Sequence, residues 1–279
     1  LQNALRADSA TEGHALEVAI LTQIQAIAAG ARRDIARRFA RLFAQDCVLC
    51  GTASDDAIVC AACAADLLRL PAEVCPRCAQ PTPRGETCGR CLAHPPAFDA
   101  AHAVYRYAFP LDRLIQSFKY GHRLALAPYF GSQLAALAAS LATSPGISLT
   151  AERPVELIVP LPLHGDRLRQ RGFNQALELA RPVARALRVP IDATSCRRTR
   201  DTAAQADLAW RERIANVRNA FSCSADYSGR HVVLIDDVMT TGASLDECAR
   251  TLKLHGAARV SALVLARALP KSTENPSAP

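Results

Sequence analysis

With 279 residues, half of them apolar, the chain can bury one sizeable core and carry a smaller module besides. Its formal charge of +7 rests mainly on arginine and favours anionic partners, phosphates or nucleic acid, without choosing between them; eight zinc-bound thiolates would cut the excess to roughly +3. No stretch approaches the run of about 18 apolar residues that a membrane span needs, since residues 18–29 are interrupted by Gln23 and Gln25, and no segment reads as a signal peptide. Eleven cysteines, eight of them in CxxC pairs, argue in a chain this long against a secreted disulfide scaffold, so a reducing, cytoplasmic location is expected.

Residues 1–11 show no periodicity and are expected to be disordered. Leu16, Ile20, Ile24, Ile27, Ala31, Ile35, Phe39 and Leu42 then recur at helical spacing, predicting an amphipathic helix or two with Gly30 as a weak point. Arg32, Arg33, Arg37, Arg38 and Arg41 cluster at its end, either as a solvated face or as a surface for nucleic acid or an acidic membrane.

Four CxxC pairs follow: Cys47 with Cys50, Cys60 with Cys63, Cys75 with Cys78, and Cys88 with Cys91. Every cysteine of the first two pairs recurs 28 positions later, which marks an internal duplication. Each pair is a tight knuckle offering two thiolates, and two knuckles make a closed tetrahedral zinc site of structural type. A module this small lacks a core, so metal binding supplies its folding energy. Disulfides or redox chemistry are the alternatives, but redox motifs usually come singly beside a βαβ unit. Pairing the first knuckle with the second and the third with the fourth follows the repeat, though the spacing also permits a crossed arrangement. Cys196, Cys223 and Cys248 lie outside the pattern and read as ordinary small buried residues.

Past a linker at 94–96, residues 100–107 alternate like a strand, and 111–120 and 124–141 read as helices. Lys119, Gly121 and Arg123 sit at the break between those helices, where a cation can reach a phosphate or simply meet solvent. A polar connection, 143–154, leads to a strand at 155–159. At its carboxyl end stands Pro160-Leu161-Pro162-Leu163, then a basic loop carrying Arg167, Arg169 and Arg171 that continues as Arg171-Gly172-Phe173-Asn174-Gln175. Open α/β sheets hold ligands at such strand ends, and several arginines there can neutralise a pyrophosphate. A helix from Asn174 is expected to kink near Ala180 because of Pro182. A short strand around 189–193, the arginines Arg197, Arg198 and Arg200, and a helix over about 208–218 come next.

The central stretch is 231–244. Residues 232–235 form an apolar, β-branched run suited to a strand buried on both faces, ending in Asp236 and Asp237. Val238 and Met239 lead into Thr240, Thr241, Gly242 and Ala243, and Ser244 is placed to cap a helix through Leu245, Cys248 and Leu252 that stops at Gly256. Backbone N–H groups, hydroxyls and the positive helix end make a phosphate pocket. The acids cannot bind that phosphate, but they suit neighbouring ribose hydroxyls with help from a hard cation such as Mg²⁺. Together the two halves describe a ribose 5-phosphate; a metal-binding or helix-capping acid pair is the alternative. A last buried strand, 259–266, and a tail from 269 complete the chain.

Residues 232–244 resemble the signature of type I phosphoribosyltransferases, in which two acids take the ribose hydroxyls of phosphoribosyl pyrophosphate (PRPP) and the following loop its 5-phosphate. With the phased CxxC pairs and the string 171–175, the chain resembles the ComF family, also called the GntX type, of competence-associated proteins that join zinc ribbons to a phosphoribosyltransferase-like domain. A weaker string, Thr199-Arg200 to Gln205, Leu208, Arg211, Asn216 and Ala220-Phe221, also fits. The resemblance runs from about Arg38 to Leu269, and Ala243 replaces a hydroxyl residue common in such loops. It implies an α/β fold, a parallel sheet with helices on both faces behind a small zinc-ribbon module. The domains expected are a tail and helix at 1–45, a double ribbon at 46–95, the phosphoribosyltransferase-like domain at 96–270 and a tail at 271–279. It further implies Pro160 to Leu163 as a pyrophosphate loop, with Pro160 and Leu161 at the ligand, residues 171–175 as a flexible hood, and Arg171, Asp236 and Asp237 as the catalytic set. Residues 238–244 and Lys119 join the ligand site, with Mg²⁺ accompanying PRPP. The reaction implied is displacement at C1 of the ribose with loss of magnesium pyrophosphate; the acceptor is not readable. Enzyme and non-catalytic PRPP- or nucleotide-binding module both remain open, with single-stranded DNA and a competence helicase as the partners that the family association implies.

Overall fold

The computed structural model describes residues 45–54, 57–121, 123–143, 154–200 and 217–270. The expected N-terminal helix, most of the helix at 208–218 and the C-terminal tail lie outside the described residues. The chain falls into two compact units that part between Cys60 and Ala61.

The 28-residue repeat is written in the backbone as well as in the cysteines. Cys47 N donates to Thr52 O at 2.8 Å and Cys75 N to Gln80 O at 2.7 Å; Gly51 N bonds Cys47 O and Ala79 N bonds Cys75 O. Bridges Asp46 to Ala53 and Val74 to Pro81 close the two turns. Gly51 and Ala79 share a left-handed conformation, with φ of 71° and 55°. Short helices occupy equivalent places, α1 at Ala61–Ala65 and α2 at Gly89–Ala93.

Beyond the ribbons, β1 (Ala100–Arg106), β2 (Leu157–Pro160), β5 (His231–Met239) and β6 (Arg259–Arg267) form one sheet in the order β1-β6-β5-β2, parallel throughout. Its central strands are apolar runs buried on both faces, as parallel pairing requires. Helices α3 (Leu111–Tyr120), α4 (Leu126–Thr143) and α6 (Gln175–Leu187) cover one face, and α7 (Ala243–Leu254) the other, where Leu245, Cys248 and Leu252 meet Val232, Leu234 and Val260. In α3 the apolar Leu111, Leu114, Ile115 and Phe118 fall at helical spacing and are buried. Asn174 caps α6 by accepting from Ala176 N at 2.9 Å, and α6 continues as one element through Pro182. Among the described residues no helix is long and apolar enough to cross a membrane.

Several local expectations need correction. The basic segment after Leu163 is a helix, α5 (Gly165–Arg171), capped by His164 and ended by left-handed Gly172. The strand expected at 189–193 shrinks to a bridge between Ile158 and Ile191, because Pro190 offers no N–H and the Asp192 carboxylate turns the chain by accepting from Thr194 N and Ser195 N. An antiparallel ribbon not foreseen, β3 (Cys196–Arg198) with β4 (Phe221–Cys223), sits between α6 and β5 in the sequence. It sets Cys196 opposite Cys223, and Cys196 and Cys248 are buried with sulfurs 3.8 Å apart. The hydrogen bond with Cys196, then burial, pushes the Cys223 thiol up, so it stays protonated.

Helices α4 and α6 approach so closely that a Cβ on Gly131 would lie 2.6 Å from Pro182 Cγ. Gly131→Ala should therefore destabilise the fold: overpacking costs about 1–3 kcal/mol against the ~1 kcal/mol that alanine gains in a helix. Chemical denaturation is the measurement, and a lower midpoint than wild type the expected result.

Candidate functional site

Parallel pairing with Pro160 opposite Ile235 brings the carboxyl ends of β2 and β5 side by side, and Leu161 N donates to Ile235 O at 2.9 Å. The strand expected to stop before the acids instead runs on to Met239, because β6 keeps pairing, with Asp236 opposite Val264 and Met239 opposite Arg267. Asp236 and Asp237 are thus held within a hydrogen-bonded strand, near its carboxyl end. Strand alternation sends them to opposite faces. Asp237, 4% exposed, meets Lys119 Nζ from the end of α3 at 2.9 Å, whereas Asp236 lies within the field of Arg198.

A cleft of about 250 Å³ opens over this edge. Of the expected residues it is lined by Lys119, Leu161, Arg171, Asp236, Asp237, Val238, Thr240 and Ser244. Pro160 is spent in the sheet and Met239 is buried beneath. Thr241, Gly242 and Ala243 line a separate hollow beside the second ribbon, with Arg90 and His94. The helix cap is Gly242, φ 84°, rather than Ser244, and Thr241 Oγ1 accepts from Ala243 N at 3.3 Å. Only glycine suits position 242, since a Cβ would also lie 2.8 Å from Met239 Cε.

Arg171, expected on a flexible hood, is buried in the last turn of α5. It donates to Tyr120 Oη at 2.9 Å and lies 4.9 Å over that ring, while its Nε has no partner among the described residues. Asn174 Nδ2 ties Leu161 O to the start of α6 at 3.3 Å. Arg167, one of the arginines expected to meet a pyrophosphate, lines the cleft, and so do Tyr107 and Arg198, which were not among the expected site residues. Tyr107 follows the carboxyl end of β1, and the rule that ligands sit at such ends could have found it. Arg198, 5.6 Å over the Phe221 ring, is delivered by the β3–β4 ribbon, which no periodicity announced.

A phosphoribosyl transferase domain model matches residues 174–279 and a double zinc ribbon domain model residues 39–92. Over 212 residues the chain is 35% identical to DNA utilization protein YhgH of Escherichia coli (strain K12), covering 76% of this chain and 91% of that protein. Competence protein F of Haemophilus influenzae is 33% identical over 65% of this chain and 78% of its own length. Competence protein ComFC of Bacillus subtilis is 26% identical over 76% and 85%. The chain belongs to the ComF family.

In this ComF chain the ribbon thiols fit zinc. Cys75, Cys78, Cys88 and Cys91 place their sulfurs within 4.8 Å of one another, and Cys88 N donates to Cys75 Sγ at 3.3 Å. In the first unit Cys60 N likewise donates to Cys47 Sγ at 3.4 Å, and Cys50 and Cys60 sulfurs stand 3.8 Å apart. Cys63 is the second member of the Cys60 knuckle. Adjacent knuckles therefore pair as the repeat implied, not crosswise. Burial and then the Cys78 thiol push Cys91 up, which is the mutual resistance to ionisation that a divalent cation removes. Protein purified under reducing conditions should contain about two zinc ions per chain. Elemental analysis checks this, and metal-free protein with paired disulfides would refute it.

The cleft of the ComF chain sets four cations, Lys119, Arg167, Arg171 and Arg198, against two carboxylates. Burial opposes charge on Lys119, but Asp237 and Asp236 outweigh it and hold its pKa above the usual lysine value. Burial and then Asp237 push Asp236 up to about 7, against the pull of Lys119. A carboxyl that keeps its proton when folded but loses it near pH 4 when unfolded lowers stability as pH rises from about 4 to about 7. Asp236→Asn should consequently melt higher than wild type at about pH 8, the difference closing toward about pH 4. Thermal melts across that range provide the check.

Proposed function

We propose that the chain binds PRPP with Mg²⁺ in this cleft and transfers its phosphoribosyl group to an acceptor, in the service of DNA uptake or utilisation in the cytoplasm. The observation that carries the reading is the acid pair at the carboxyl end of β5, ringed by four cations beside the N-terminus of a 12-residue helix. The proposed domains are the double ribbon at 46–95 and the transferase-like domain at 96–270. The names of the relatives, competence proteins and a DNA utilization protein, support the cellular setting.

The 5-phosphate seats against the loop 240–244 where Thr240 and Ser244 line the cleft, aided by their hydroxyls and the helix dipole, while Thr241, Gly242 and Ala243 hold the loop's turn. Asp236 and Asp237 accept the ribose hydroxyls. Lys119 neutralises Asp237 until hydroxyl donors replace it, and then joins Arg171 and the loop at Leu161 on the pyrophosphate. Mg²⁺ bound to that pyrophosphate supplies charge neutralisation of the leaving group. Arg171 lies already ordered against Tyr120, so its charge is in place where negative charge develops as the C1–O bond breaks. Tyr107 and Arg198 are further candidates for contact with ligand.

Single-stranded DNA and a helicase of DNA uptake are proposed as partners. Of the ribbon arginines, Arg84 pairs with Glu86 at 2.9 Å and Arg90 leans on Thr241 O at 3.5 Å. Arg77 remains for a DNA backbone.

Asp237→Asn keeps the shape but replaces acceptor sites with a donor, and should weaken PRPP binding by roughly 1.5–3 kcal/mol. Arg171→Ala should lower turnover more than it weakens binding, because its charge meets the departing pyrophosphate. Calorimetric PRPP affinity with Mg²⁺, beside pyrophosphate release across amines and nucleobases, measures both. Tight binding without release for any acceptor would favour a non-catalytic PRPP-binding module, and unchanged affinity in Asp237→Asn would remove the basis for either reading.

A further inference from the structure

Arg267, the last residue of β6, is at 0% exposure the largest fully buried side chain among the described residues, and nothing in the functional reading uses it. Its Nε donates to Cys78 O at 2.8 Å, the carbonyl of a thiol ligand in the second ribbon. Its Nη1 donates to Met239 O at 2.8 Å, to Ala268 O at 2.7 Å and to Thr240 O. One guanidinium therefore gathers a zinc knuckle, the last carbonyl of β5 and the first carbonyl of the phosphate loop.

We propose that Arg267 is a positioning residue that makes the second zinc site and the phosphate loop one mechanical unit, so that zinc held there and a phosphorylated ligand in the cleft favour each other. The proposal rests on the reading of the cleft as a PRPP site. Two physical arguments carry it.

The first is peptide geometry. In a planar trans peptide the C=O and the following N–H point in opposite directions. Drawing Met239 O and Thr240 O inward to Arg267 turns the N–H groups of Thr240 and Thr241 away from it, and Thr240 lines the cleft. The guanidinium thus aims donors without touching ligand.

The second is charge. All four acceptors of Arg267 are neutral carbonyls, and the side chain is fully buried. A zinc ion with four thiolates carries a net charge of about −2. Loaded, the second ribbon supplies the counter-charge that the buried guanidinium needs. The ribbon is built for this contact: Cys75, Cys78 and Ala79 are completely buried in the core that also holds Met239 and Leu245. Ala101 N further bonds Pro76 O at 3.1 Å, and Gln80 Nε2 bonds Ala268 O at 3.4 Å.

The test follows zinc release from the full chain to a chromogenic chelator, with Cys50→Ser identifying the first-ribbon phase, beside PRPP affinity by calorimetry. Arg267→Met, which keeps volume and loses donors, should speed release from the second ribbon by about tenfold or more, the range seen for outer-shell partners of metal ligands, and leave the first-ribbon phase alone. PRPP affinity should fall by about tenfold, within the usual span of coupling between sites. Arg267→Lys should restore part of the zinc retention, because the charge remains, but little of the affinity, because one ammonium cannot clamp the separate carbonyls. In wild type, saturating PRPP should slow the second phase and not the first. An unchanged second phase in Arg267→Met, or altered release with unaltered PRPP affinity, overturns the proposal. If Arg267→Met does not fold, the wild-type effect of PRPP on the second phase decides alone. Failure of wild type to bind PRPP would overturn the functional reading and with it the coupling to ligand, leaving the hold of Arg267 on the second zinc site to be decided by the second zinc phase of Arg267→Met.

Discussion

Parallel strands deliver all their carboxyl ends to one edge, and the register of β2 on β5 decides which side chains meet there. With Pro160 opposite Ile235, the chain leaves β2 level with the last apolar residue of β5, so the turn from Leu161 and the two acids face the same cleft. The continued pairing of β5 with β6 as far as Met239 fixes those acids on backbone that is already hydrogen-bonded. A slip of one residue would exchange the faces of Asp236 and Asp237, taking Asp237 from Lys119 and turning Val233 and Ile235 out of the core under α4 and α6. The apolar alternation that buries the sheet is therefore the same constraint that brings Asp237 to Lys119.

Much of this was legible because it is local. Residues 232–235 are apolar and β-branched, the threonines and Gly242 announce a turn, and Leu245, Cys248 and Leu252 share one helix face, so strand, loop and helix could be read without knowing the partners. The strand's true end could not be read. Carboxylates are poor strand formers, and only the neighbouring β6 carries Asp236 and Asp237 in the ladder. The same limit hid Arg198, whose strand exists through pairing with a distant segment, Arg198 opposite Phe221 and Cys196 opposite Cys223. It also hid α5, whose arginine-rich sequence lacks an apolar stripe and is held by a His164 cap and a glycine stop. In the cysteines the phasing suggested the pairing of adjacent knuckles but left a crossed arrangement open, and the clustering of the sulfurs decides between them.

The duplicated ribbons nonetheless diverged where the fold made different demands. Gly51 takes its left-handed turn without a Cβ and has open space around it, whereas Ala79 holds the same conformation with its methyl completely buried. An alanine in that region is strained by roughly 1–2 kcal/mol, and burial of the methyl offsets part of that cost in the core shared with the sheet. The second copy thus gave up an easy turn for packing against Met239 and Leu245. Zinc-ribbon folding and sheet packing are one cooperative matter at this end of the chain.

The composition of the cleft carries its own argument about ligand chemistry. Four cations alone would suit any polyphosphate, and a site built for phosphate only would have no use for two carboxylates at its centre, since they repel the ligand and burial makes Asp236 resist ionisation. Their presence costs both stability and phosphate affinity, so the arrangement favours a ligand that is anionic at its ends and rich in hydroxyl donors between them. Lys119 makes the acid pair tolerable in the unliganded cleft: its ion pair at 2.9 Å satisfies Asp237 without burying an uncompensated charge. On the PRPP reading proposed above, selectivity for a phosphorylated sugar over a bare polyphosphate would come from the repulsive half of the site as much as from the attractive half.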